Sequence, residues 1–169
     1  LHGHVAHLDA LLDRVDEELG RDVLLVPLGD YVDNGPAIPA LLDRLIHLKQ
    51  ERPERFRPIL GNHDLACLRV LGFSGGEPDE GWYRRWASRY WGWRGGHGAT
   101  PAAYGASSAA DLVERMPRAH RDFLGELPWS IDTGEYLFVH AGMEKGPLQP
   151  QHRKLRDRRL PDGHFHLPP

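Results

Sequence analysis

The chain has 169 residues, 40% hydrophobic and 27% charged, which is enough for one globular domain with a sizeable core. Its 21 basic and 24 acidic side chains leave a net charge of −3, which argues against a nucleic-acid-binding arm or an anionic-membrane binder. One cysteine, Cys67, excludes an internal disulfide and suits a reducing, cytoplasmic setting; no apolar run reaches the length of a membrane span.

In chain order, residues 8–19 place Leu8, Leu11, Leu12, Val15 and Leu19 on one helical face. "DVLLVPLGD" (22–30) is a continuous apolar run of the kind a buried parallel strand needs. Residues 37–50 repeat the helical pattern through Ile38, Leu41, Leu42, Leu45 and Ile46. "FRPIL" (56–60) reads as a second strand, and helical spacing resumes over 64–71. Residues 74–108 hold most of the Trp and Tyr residues and many glycines. They read as a cap or loop insertion around a short aromatic helix near 80–91, whose rings pack by default and could alternatively stack on a base. Residues 109–126 are helical with a break at Pro117, and "YLFVHAG" (136–142) is a third strand. From Gly146 onward the chain is rich in Pro and Arg and shows little periodicity. Alternating strands and helices predict a single α/β domain built from βαβ units.

Ligands of α/β sheets gather outside the carboxyl ends of the strands. Each predicted strand here ends in groups suited to metal ligation: Asp30 and Asp33, then Asn62, His63 and Asp64, then His140. A carboxylate, an amide oxygen and imidazoles suit a hard or borderline divalent ion. Asp30 has two oxygens and could bridge two such ions, which would offset the cost of leaving an ionised carboxylate at the end of a buried strand.

The set "GDYVDNG" (29–35), "GNHD" (61–64) and "VHAG" (139–142), with "LHG" (1–3) before it, resembles the motifs of the calcineurin-like metallophosphoesterases. The closest likeness is to the bacterial branch of phosphoprotein phosphatases and diadenosine-tetraphosphatase-like enzymes. The resemblance implies a metallophosphoesterase-type β-sandwich flanked by helices, and two divalent ions, manganese first, with iron, zinc or nickel as alternatives. It implies that His2 binds one ion, Asp30 both, and Asn62 and His140 the other. It assigns His63 as the acid that protonates the leaving oxygen, oriented by Asp33. The implied substrate is a phosphoserine or phosphothreonine protein, or a nucleotide polyphosphate, with "TPAAYG" (100–105) facing it.

Three departures stand out. The family's first Asp falls before Leu1, and its final Gly-His has no clear counterpart in "DGHFHLPP" (162–169), which implies an incomplete metal site and a poor catalyst. Asn34 stands where most relatives carry a phosphate-gripping Arg; Arg84, Arg85 and Arg94 are the candidates to replace it. The departures leave a non-catalytic phosphate- or metal-binding module as the alternative. A more remote alternative takes His2, His4 and His7 as the His-x-His-x-x-His set of metallo-β-lactamase-type hydrolases, although Ala6 stands where that set needs Asp. His97, His120, His152, His164 and His166 are expected on the surface or in loops, and Cys67 in the core.

Overall fold

The structure, a computed structural model, describes residues 1–72, 76–87 and 98–158. The predicted helices are present with shifted ends: α1 Val5–Leu19, α2 Ile38–Glu51, α3 Asn62–Val70 and α4 Glu80–Ala87. A short α5, Ala99–Ala103, follows. The predicted 109–126 helix is two helices, α6 Ala109–Arg115 and α7 Arg118–Glu126. Pro117 has no N–H to continue α6, and it leads α7 instead. A hairpin joins β1 Ser130–Asp132 to β2 Leu137–Val139, with Ile131 opposite Phe138. The tail that lacked periodicity forms α8, Leu148–Arg156, with no buried residue; Leu148 and Leu155 are its two aliphatic side chains, too few for a periodic signal.

The two apolar runs expected as strands lie side by side but form one isolated parallel bridge, Leu25 to Phe56. Leu25 N–H donates to Arg55 O (2.7 Å), Arg57 N–H to Leu25 O (2.9 Å) and Ile59 N–H to Pro27 O (3.0 Å). Pro27 and Pro58 have no N–H, so the ladder cannot run unbroken. Leu60 N–H continues the layer to Pro128 O (2.8 Å), just before β1. Among the described residues the regular sheet therefore has two strands.

The core centres on α2, where Ile38, Leu41, Leu42, Leu45 and Leu48 are fully buried. Its faces meet α1, α5 and α7, while α3 packs on α4 and α7. Trp82, Tyr83 and Trp86 give α4 a buried aromatic face, as the packing reading expects. Arg52 pairs with Asp16 through two N–H donors (2.8 and 2.5 Å), and Arg44 with Asp9 (2.7 Å), tying α1 to α2. His120 is a correction: it is 2% exposed, with its ring between the Tyr104 hydroxyl (2.7 Å) and Asp43 (2.8 Å). A polar ring enters a core when both its nitrogens find partners, which spacing along the chain cannot reveal. Cys67 is buried as expected. His97, His164 and His166 lie outside the described residues. No described helix is long and apolar enough to cross a membrane.

Candidate metal centre

The loop 29–35 turns back sharply after the apolar run. Asp30, Asp33 and Asn34 take left-handed backbone angles (φ 57, 62 and 59°), as does His2 (φ 47°) in the segment beside them. Left-handed residues other than Gly are uncommon, and they persist only where surrounding contacts hold them. Asp64 supplies those contacts for residues 30–32. Its fully buried carboxylate accepts Asp30 N–H (2.8 Å) and Gly61 N–H (2.9 Å) at Oδ2, and Tyr31 N–H (2.8 Å) and Val32 N–H (3.2 Å) at Oδ1. Burial and the neighbouring Asp30 charge push the Asp64 carboxyl above its ordinary range, against the pull of the N–H donors.

Two motif glycines exist for space. A Cβ on Gly61 would sit 2.3 Å from Asp30 N, and one on Gly35 would sit 1.5 Å from His2 O. The backbones of the strand-end loops therefore touch. His2 N–H donates to Asp30 O (2.7 Å) and Gly3 N–H to Tyr31 O (3.0 Å), which clamps residues 1–3 along the loop.

These clamps bring the predicted ligands together. His2 Nε2 lies 3.6 Å and His140 Nε2 lies 3.4 Å from the same oxygen, Asp30 Oδ2. Each ring turns its Nδ1 to a backbone carbonyl, His2 to Val32 O (2.8 Å) and His140 to Leu28 O (2.5 Å). With Nδ1 as the donor, the Nε2 lone pair faces the carboxylate, the tautomer a metal-binding imidazole needs. Asn62 Oδ1 lies 2.8 Å from His140 Nε2. The first turn of α3 also points at Asp30, whose Oδ1 accepts His63 N–H (3.1 Å), so part of the carboxylate charge meets a helix N-terminus. A carboxylate, an amide oxygen and lone-pair imidazoles around one point form a donor set that fits a divalent ion.

His63 stands edge-on to His2, ring centroids 4.9 Å apart, and its Nδ1 meets Asp33 Oδ2 at 2.8 Å. His2, Asp30 and His63 each bring a ligand atom within 4.8 Å of the others, so His63 borders the site directly. Burial pushes its pKa down, but the bond to Asp33 and the charges of Asp30, Asp33 and Asp64 outweigh it, and the net shift is upward. His4 and His7 stack on each other (5.1 Å), exposed at the start of α1, and do not join His2 as a ligand trio.

The chain matches the family model of the calcineurin-like phosphoesterases over residues 1–167. It belongs to that family. Membership carries the α/β fold class and makes the protein a metal-dependent phosphoesterase in general terms. A search of curated proteins found no match.

The site also contains groups to which the motifs assign no role. Asp64 is part of "GNHD", yet the motif alone does not show that it holds the opposite loop. Trp86 and Thr100 reach Asp33 from α4 and α5. Thr100 opens the "TPAAYG" stretch expected to face substrate; instead Thr100 and Pro101 are buried, with the Thr100 hydroxyl on Asp33. Asn34 is exposed, with its amide 3.4 Å from His2 Nδ1. Arg84 and Arg85 are on the solvent side of α4, opposite its aromatic face, and Arg94 lies outside the described residues.

Proposed function

We propose that the protein hydrolyses a phosphate ester at a binuclear divalent-metal centre, and that its substrate is the phosphomonoester of a phosphoserine or phosphothreonine protein. A nucleotide polyphosphate is the second substrate class. The observation that carries the reading is the approach of His2 and His140 to one Asp30 oxygen, each through its Nε2. In this reading Asp30 is shared, His2 serves one ion, and Asn62 and His140 serve the other. Such ions, when bound, polarise a phosphoryl group and lower the pKa of water toward neutrality. His63 gives the proton at Nε2 to the leaving oxygen while Asp33 holds Nδ1–H and keeps the ring charged. The Asn34 amide offers a hydrogen bond to a phosphoryl oxygen. Trp82, Tyr83 and Trp86 of α4 are committed to the core and offer no ring to a nucleotide base; Tyr90, Trp91 and Trp93 lie outside the described residues.

The test is reconstitution of metal-free protein with manganese, iron, zinc or nickel. Bound metal is counted, and hydrolysis of phosphoserine peptides is compared with that of diadenosine polyphosphates. Two ions per chain and turnover that depends on them support the proposal, and Asp30→Asn should lose both. Metal binding without hydrolysis of any phosphate ester would favour the non-catalytic module.

A further inference from the structure

The Asp33 carboxylate is 2% exposed and accepts donors from three different helices. Oδ2 accepts His63 Nδ1–H and Trp86 Nε1–H, both at 2.8 Å, and Oδ1 accepts the Thr100 hydroxyl at 2.5 Å. Asp33 N–H in turn donates to Thr100 Oγ1 (2.9 Å). The Thr100 hydroxyl thus closes a ring with the backbone and side chain of one residue. That residue is in the left-handed region, where a conformation lasts only if its surroundings impose it. Trp86 is 1% exposed and Thr100 is fully buried, so neither donor has water to bond instead.

We infer that Trp86 and Thr100 are positioning residues for proton transfer: they fix the Asp33 carboxylate, which sets the direction of the His63 ring. The inference rests on the proposed role of His63 and extends it to two residues that bond to Asp33. Without the Thr100 bonds, Oδ1 can rotate away and the His63 ring loses its fixed direction. Without the Trp86 donor, Oδ2 is left with His63 as its one partner among the described residues, and the carboxylate swings toward it. Outer partners of this kind typically contribute about 10- to 100-fold to activity.

The experiment compares Thr100→Val, Thr100→Ser and Trp86→Phe with the parent and with His63→Asn, on phenyl phosphate and on p-nitrophenyl phosphate. The phenolate of the first needs a proton to leave well, and the second leaves without one. Thr100→Val and Trp86→Phe should lose about tenfold or more on phenyl phosphate and much less on p-nitrophenyl phosphate. Bound metal should not change, and Thr100→Ser should restore the parent ratio. In the His63→Asn background, Thr100→Val should add almost nothing. Tyr104→Phe, at the residue that caps the same helix, removes the bond to His120 and is the control; it should lower the melting temperature without changing the substrate ratio. Equal losses on both substrates, or full additivity with His63→Asn, would overturn the positioning role. If His63→Asn itself shows no preference between the substrates, the acid assignment fails first and this inference fails with it.

Discussion

Asp64→Asn is the sharpest test of how the site is held together. The substitution keeps the shape of the side chain and replaces one acceptor oxygen with an N–H₂ donor. Placed at Oδ2, the new group meets Asp30 N–H and Gly61 N–H; flipped, it meets Tyr31 N–H and Val32 N–H. Either way two buried backbone donors lose their acceptor, each at a cost of about 1–3 kcal/mol, or about 2–6 kcal/mol together. Removing a buried charge that its surroundings already push toward neutrality returns part of this, leaving about 2–4 kcal/mol. For a chain of this size that is a fall in melting temperature of about 4–16 °C. Thermal unfolding of metal-free protein reads the loss directly. Metal titration should show weaker binding too, because the φ of Asp30 loses a restraint. Asp64→Glu keeps both acceptors and should cost less. A melting temperature within about 2 °C of the parent for Asp64→Asn would refute the reasoning, and equal losses for Asn and Glu would mean that size, not acceptor chemistry, matters.

His63→Asn should cut turnover on a phenyl or alkyl phosphate by about 10² to 10⁴, the range of a general acid, with metal content unchanged; a matching loss of metal would make His63 a ligand. In metal-free protein the raised His63 pKa means that the folded state favours the charged imidazole. That stabilisation is complete below the unfolded value of about 6.5 and is lost as pH rises through the higher folded pKa. The melting-temperature advantage of the parent over His63→Asn should therefore be largest in mild acid and vanish in alkali; the opposite slope would contradict the Asp33 pairing. Gly35→Ala puts a Cβ 1.5 Å from His2 O, so the 1–3 segment must move or the loop unfold. Circular dichroism and metal analysis should show either poor folding or a folded chain that binds less metal, and normal values for both would disprove the close approach.

Local patterns made the candidate ligands legible. The amphipathic runs of α1 and α2 placed those helices within a few residues of their observed ends, and each cluster of carboxylate, amide or imidazole followed an apolar run. The spacing of Gly29, Asp30, Asp33 and Gly35, with "GNHD" and His140, was enough to nominate the residues that converge, because chain direction and strand ends constrain where such groups can meet. The strands were less legible, because apolar content signals burial whether or not the ladder closes. Pro27 and Pro58 reduce the pairing to one bridge; β2 falls within the expected strand 136–142, whereas its partner β1, three residues long, is too short for a period-2 signal.

Only the tertiary structure decided what holds the site. Asp64 reaches across to residues 30–32, 32 or more positions earlier in the chain, and Trp86 and Thr100 reach Asp33 from 53 and 67 positions away. Nothing along the chain marks such partners, since a buried Trp or Thr in a helix looks like ordinary core until the donor it carries is matched with an acceptor. Sequence determines which groups can bind a metal or move a proton. The fold determines which of them are turned, paired and shielded from water, because those properties depend on neighbours brought close only when the chain packs.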